Sequence, residues 1–267
     1  MKLDLFDLTG RVALVTGAAR GMGKAMSTAL AEAGADILAV DLDQNGLAQT
    51  ADEIAKLGRK VVPVTCNAAD FSAIDKLFET LDREFGRIDF LGNVAGNAQR
   101  DAAENIKIEQ VIETLQNIVI SRFYMTQKAG VRMLKQGKGS IVSIGSLASI
   151  NALGRGSVAY SMSMGAVIQM TRELSTEWSS RGVRVNAILP GQVMNSGLAG
   201  VIAEDPEMEK VFLRGLPIGR MGQPDDIKGL SILLASDASS FITGALIPMD
   251  GGNLAKNAGG SHYGSPK

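Results

Sequence analysis

Histidine is almost missing from this sequence: His262, in a glycine-rich stretch near the C-terminal end, is the only one. Catalysis by a histidine base and metal centres built on histidine clusters are therefore not expected, and no metal is expected to be bound. Cysteine is just as scarce. Cys66 stands alone, so no disulfide can form within the chain, and this usage fits a reducing cytoplasm. Aromatic residues make up only 4% of the chain, a poor supply for a site that must stack against flat aromatic or steroid rings. Charge is balanced, with 27 Lys and Arg against 28 Asp and Glu and no basic run, so nucleic acid and anionic membrane are not expected partners. No stretch approaches the roughly 18 uninterrupted apolar residues that a bilayer span needs. The N-terminal MKLDLFDLTGR sets acids among its apolar residues and is not expected to be a secretory signal.

What is plentiful is glycine, 31 residues, set among short apolar runs. A chain of 267 residues, 45% hydrophobic, suits one α/β domain, expected over 1–253. The polar tail at 254–267 is expected to be flexible unless a neighbouring subunit orders it. Residues 12–15 predict a buried strand, residues 16–23 a glycine-rich turn, and residues 24–34 a helix with Ala25, Ala29, Leu30 and Ala33 on one face. That order makes a nucleotide-binding half-unit. Gly17 allows the tight turn, and Gly21 and Gly23, with Arg20 and Met22 around them, let backbone approach a pyrophosphate at the positive helix N-terminus. Residues 35–40 predict the second strand. Asp41 at its end, followed by Leu42, is placed to accept both ribose hydroxyls of an adenosine and to repel a 2′-phosphate. The expected cofactor is therefore NAD; Arg20 is the nearby group that could favour a phosphate instead.

Further strands are predicted over 59–65, 88–91, 139–144, 183–189 and 243–249. They alternate with helices over 46–57, 71–85, 106–135 and 160–180, and with one that begins at Pro224. This rhythm predicts an α/β fold, a doubly wound parallel seven-stranded sheet with helices on both faces and ligands beyond the carboxyl ends of the strands. Asn67 and Ala68, after the third strand, fall on the adenine side; for Asn67 an ordinary polar loop position is the plain alternative. Residues 97–105 read as a polar rim loop and residues 195–215 as a small, less regular flap. Met162, Met164 and Met170 read as core filling, and Trp178 as packing or subunit interface.

TGAARGMG at 16–23, NVAG at 93–96, Ser146, Tyr160, Pro190-Gly191 and ITGALIPMDGG at 242–252 follow one another in an order that resembles the short-chain dehydrogenase/reductase family. The likeness runs from about residue 8 to residue 253. It implies a single Rossmann-fold domain, NAD(P)-linked interconversion of alcohol and carbonyl, and a homotetramer (or homodimer) packed through two long helices and the last strand. It also implies that Asn93, Ala95 and Gly96 lie beside the cofactor. Pro190, Gly191, Val193 and Asn195 would approach the nicotinamide, with Asn195 standing where relatives usually carry threonine. Tyr160 would be the acid/base and also touch the cofactor, while Ser146 would orient the substrate oxygen. Relatives that combine NAD with a polar rim are sugar, polyol and sugar-acid dehydrogenases. The alternative within the family is a 3-oxoacyl thioester reductase, which usually runs on NADPH.

Two departures stand out. Tyrosine has a reference pKa near 10 and is a poor base at neutral pH unless its anion is stabilised. The family supplies a lysine four residues on; this chain reads Tyr160-Ser161-Met162-Ser163-Met164, with Met164 in the lysine position. Two unit charges a few ångströms apart interact by roughly 4 kcal/mol at an effective dielectric of 20, so the missing ammonium matters. Counting back from Thr126-Gln127, the family's active-site asparagine falls at Ile118. Its neighbour Asn117 is turned away by about 100° of helix, and only a bulge would bring it into place. Three readings stay open: a form in which lysine was replaced by methionine to disable the enzyme, a natural dehydrogenase working through Ser146 and Tyr160, and a nucleotide-binding pseudoenzyme that senses or scaffolds. Candidates to meet a small polar substrate are Asn97, Gln99, Arg100, Ser149, Asn151, Arg155 and Gln192. Arg100 or Arg155 would recognise a carboxylate or sulfonate.

Overall fold

In the computed structural model, which describes residues 4–154 and 156–256, strands and helices alternate along the chain. The strands are β1 (Val12–Thr16), β2 (Asp36–Asp41), β3 (Val61–Thr65), β4 (Phe90–Asn93), β5 (Gly139–Ile144), β6 (Val183–Pro190) and β7 (Leu246–Met249). They form one seven-stranded sheet in the order β3-β2-β1-β4-β5-β6-β7, with every neighbouring pair parallel. The inner strands β1, β4 and β5 are buried at every residue, as sheets covered on both faces require. β3 starts at Val61, not at residue 59. It carries Pro63, which cannot donate to a ladder and is tolerated because β3 is an edge strand paired only with β2. The last strand likewise begins later, at Leu246 instead of residue 243.

Between the strands lie α1 (Gly21–Glu32), α2 (Gln44–Lys56), α3 (Phe71–Glu84), α4 (Ile108–Leu115), α5 (Ser121–Gln136), α6 (Val158–Trp178), α7 (Ser196–Glu204), α8 (Glu207–Arg214), α9 (Lys228–Ala235) and the short α10 (Asn253–Lys256). One buried cluster, with Met26, Leu30, Ile37, Ile54 and Leu234, covers one side of the sheet. A second, with Ile74, Leu77, Phe78, Leu81, Met125, Met133 and Leu174, covers the other. Glycine lets α5 and α6 approach closely: a Cβ on Gly130 would lie 2.5 Å from Cη2 of Trp178, whose indole fills that seam and is 8% exposed. Trp178 is thus packing within the chain. Met164 is buried too, whereas Met162 points outward and is 53% exposed, so it is not core filling.

The structure also departs from the sequence reading in its helices: the helix expected from Pro224 is a 3-10 turn at Pro224–Ile227 leading into α9. The helix expected over 106–135 is two helices, α4 and α5, joined by a π turn at Gln116–Ile120. The flap is regular, with α7 and α8 folding over their own small core of Phe212, Leu216 and Met221. α1 begins at Gly21, so the end of the glycine stretch, Gly21 to Gly23, already forms the first helical turn. Arg155, His262 and the tail from residue 257 lie outside the described residues. The first tail residues are seated in α10, where the Leu254 N–H donates to Asp250 (2.8 Å) and Lys256 to the Arg214 carbonyl.

Candidate active site

The strand order reverses direction between β1 and β4, and the crevice beyond their carboxyl ends opens into a cleft of about 610 Å³. Its floor is the turn from β1 into α1. Gly17 has φ +71° and Gly21 φ +57°, both in the left-handed region. A Cβ on Gly17 would stand 3.1 Å from the Ala95 N, and one on Gly23 would be driven into the Gly17 carbonyl. Close backbone approach requires glycine at 17 and 23, and the left-handed backbone favours it at 21. Arg20 occupies the N-cap of α1 without a capping side-chain bond, and Gly21, Met22 and Gly23 present the helix N-terminus to the cleft. Thr16 locks the two walls together: its Oγ1 accepts from the Val94 N–H (3.0 Å) and the Ala95 N–H (3.1 Å).

Asp41, at the end of β2, closes one side. Its carboxylate accepts from the Leu42 N–H (2.7 Å), the Ala19 N–H (2.9 Å) and the Asp43 N–H (3.1 Å), so it is fixed against the glycine turn. Leu42, Asn67 and Ala68 line the same side. The Asn67 Oδ1 accepts from the Ala69 N–H, as a turn residue does. Cys66 also lines the cleft; burial, helped by the Asp70 charge, pushes its thiol up, which keeps it protonated and unreactive at neutral pH. The far side is made by Ala95, Gly96, Asn97, Asn195 and Asn117. Asn117 reaches the cleft because the π turn inserts one residue there, while Ile118 is turned into the core against Met164 and Val167. Ile118 and Met164, where the resemblance leads one to expect asparagine and lysine, are thus two apolar side chains of one small cluster, and Tyr160 packs on it.

Several expected cofactor contacts do not line this cleft. Asn93 is 1% exposed and its amide donates to Thr126 Oγ1 (2.8 Å), tying β4 to α5. Pro190 ends β6 in the core, and Gly191 packs on Asp250. Val193 bridges to Gly222 and, with Gln192, faces a separate cavity of about 290 Å³. Asn195 does line the cleft, but both ends of its amide are engaged: Oδ1 caps α7 through the Leu198 N–H (2.9 Å), and Nδ2 donates to the Val193 carbonyl (3.2 Å). Met194, Ser196 at the start of α7, and Pro224 ahead of α9 join it there.

Ser146 and Tyr160 stand outside the cleft lining. Ser146, half-buried after β5, accepts from the Ala148 N–H (3.1 Å) and donates its own N–H to Ser149 (3.2 Å). Tyr160 lies in the first turn of α6, with the Arg100 guanidinium 5.6 Å from its ring centroid. Of the other rim candidates, Gln99 is anchored through its N–H to Thr114 (3.1 Å) and Asn151 is exposed; neither lines the cleft. Among the described residues no group of three His, Cys, Asp or Glu could hold a metal ion, and no helix is long and apolar enough to cross a membrane.

A sequence model described as enoyl-(acyl carrier protein) reductase matches residues 17–253. The 2-dehydro-3-deoxy-D-gluconate 5-dehydrogenase of Dickeya dadantii (strain 3937) is 35% identical across 96% of this chain and 100% of its own. The chain is a short-chain dehydrogenase/reductase. Another member of the family, the D-threitol dehydrogenase of Mycolicibacterium smegmatis, is 38% identical over 94% of this chain and 95% of that one. The solved structure of an NAD+-bound xylitol dehydrogenase superposes with a TM-score of 0.86 at 27% identity, covering 91% of this short-chain dehydrogenase/reductase and 98% of the other chain.

Proposed function

We propose that the protein oxidises a secondary alcohol of a small polyol or sugar acid with NAD, or reduces the matching ketone, using Tyr160 as acid/base and Ser146 to hold the reacting oxygen. The observation that carries this reading is the cleft itself, with Asp41 fixed on its β2 side and Asn117 brought to its far side by the π turn. A nicotinamide dinucleotide bound there would take the hydride. Tyr160 would accept the alcohol proton, and the Ser146 hydroxyl would donate to the oxygen as it becomes a carbonyl. Asn117 would take the part of the family's asparagine. Relatives named for a sugar acid and a tetritol support the substrate class, and the exposed Arg100 beside Tyr160 suits an acidic substituent.

The preference for NAD rests on Asp41 alone. Asp41→Asn keeps one side-chain oxygen for the Leu42 and Asp43 N–H groups, gives up the bond from the Ala19 N–H and removes the charge. It should shift the NAD/NADP ratio of kcat/KM toward NADP by on the order of tenfold, about 1.4 kcal/mol. An unchanged ratio removes NAD specificity from the reading.

Met164 is read as native to the molecule and not as a disabling change, because it packs against Ile118 in a shared apolar contact. Met164→Lys should therefore lose stability, by about 1–3 kcal/mol for a polar head buried without a partner, and gain no rate. The test is thermal melting beside NADH formation at 340 nm on a panel of polyols, sugars and sugar acids. Faster turnover in Met164→Lys than in the parent would mark the chain as a disabled dehydrogenase. Cofactor binding without turnover in either protein would favour the sensing or scaffolding role.

We also infer assembly of two or four copies through the outer faces of α4–α5 and α6, where Ile108, Ile112, Phe123, Val131 and Met162 are exposed. The single buried cysteine supports a cytoplasmic setting.

A further inference from the structure

A further cavity, of about 340 Å³, lies at the opposite end of the sheet from the cleft. Arg11 just ahead of β1, Gly139 and Ser140 at the start of β5 and Arg184 near the start of β6 line it. It therefore sits at the amino ends of the strands, whereas the dinucleotide cleft lies beyond their carboxyl ends. Its volume falls at the lower end of the range of small-molecule sites.

Three cations face this space. Arg11 donates through Nη1 to the Ala235 carbonyl (3.1 Å) and through Nη2 to the Asp237 carboxylate (2.6 Å). Arg184, half-buried, donates to the carbonyls of Leu234 (2.8 Å), Ser236 (3.2 Å) and Ile242 (3.3 Å). The two guanidiniums thus bracket consecutive carbonyls at the end of α9. Lys138, between α5 and β5, takes the other oxygen of Asp237 (2.9 Å). Among the described residues Asp237 is the one carboxylate that pairs with any of the three. Asp89 also lines the cavity, but it is engaged by Arg87 (2.6 and 2.8 Å) and by the Val12 N–H (2.9 Å).

The plain account of Arg11 and Arg184 is that they cap α9, whose last carbonyls together carry about half a negative charge. That answers only part of the charge. Half a unit from the helix end and one from Asp237 stand against three cations, so more than one positive unit is left over, in a chain whose net charge is −1. Donors are left over as well. Of the five N–H groups on each guanidinium, these bonds use two on Arg11 and three on Arg184, whose Nε takes no part. Burial holds the Arg184 guanidinium below its ordinary value, and the like charge of Arg11 adds to this against the pull of Asp237. An anion in the cavity would relieve both.

We propose that this cavity is a second binding site, which takes a phosphate group, free or carried on a small metabolite, between Arg11, Lys138 and Arg184. Phosphate brings close to two negative charges and three acceptor oxygens, which matches the charge left over and the open donors better than the single charge of a carboxylate. The ligand would not compete with the dinucleotide. It would draw the end of α9, the turn before β5 and the starts of β1 and β6 onto one anion, and so stabilise the fold.

The test is calorimetric titration with inorganic phosphate and, separately, glycerol phosphate, at pH 7.5 and fixed ionic strength, with NAD present to fill the turn after β1. The parent is compared with Lys138→Glu, at an exposed position, and with Lys56→Glu, which makes the same change of net charge on α2 outside the cavity. Saturable binding is expected in the parent and in Lys56→Glu, and weakened by on the order of tenfold or more in Lys138→Glu, where attraction becomes repulsion. Glycerol phosphate binding tighter than phosphate would support a phosphate ester as the ligand, and equal or weaker binding the free anion. No saturable binding to the parent, or equal binding to all three proteins, overturns the proposal and leaves the cations as caps of α9. Lys138→Gln, with weakening in the same direction, serves where Lys138→Glu does not fold.

Discussion

Replacing Tyr160 by phenylalanine should lower kcat/KM for the true substrate by roughly 10²–10⁴-fold, the span that a positioned acid/base contributes. NAD affinity should hardly change. The ring packs on Ile118, Met164 and Val167 and carries the Arg100 guanidinium on its face, and phenylalanine keeps all of those contacts. The loss should therefore fall on the rate while melting temperature and cofactor affinity stay near the parent's. Stopped NADH formation with unchanged NAD titration is the expected pair of results. A Tyr160→Phe protein that turns over at the parental rate would show that the proton leaves by another route.

Gly23→Ala should have an effect of similar size on a different quantity. The methyl would be driven into the Gly17 carbonyl, with the Gly17 carbonyl carbon at 2.5 Å and the Thr16 oxygen at 3.1 Å, all of it backbone that cannot swing aside. Either the β1–α1 turn opens or α1 shifts, and both disturb the cradle. NAD affinity should fall by about 100-fold or more, about 2.8 kcal/mol at 1.4 per tenfold. Calorimetric titration of NAD measures it. An alanine variant that binds NAD as the parent does would mean that the dinucleotide does not approach this turn.

The sheet was legible in the sequence because parallel strands covered on both faces are built largely of apolar and small residues. VALVT, DILAVD and GSIVSI carry that pattern in five or six residues each. The cleft wall from Gly17 to Asp41 was legible for a related reason, since glycines that admit backbone and an acid at a strand end are local in sequence. The flap was not. α7 and α8 have nine and eight residues, too short for a helical period to separate from chance, and their core forms only when both are present.

The π turn left a trace without a shape. Counting from Thr126 set an isoleucine where an amide was expected and the amide one residue away, the mark of a single inserted residue. The Asn93 bond to Thr126 and the Val193 bridge to Gly222 are tertiary details that no short motif carries.

The seam between α5 and α6 gives the molecule an optical property. Trp178 is the sole tryptophan, and it sits against Gly130 and away from the residues that line the cleft. Ultraviolet emission excited at 295 nm therefore comes from one fluorophore whose surroundings change when α5 and α6 part. Bound NADH emits on its own in the blue. Denaturation of any variant can be followed in the first channel and dinucleotide capture in the second, so a substitution that empties the cleft is told apart from one that unfolds the chain in a single cuvette.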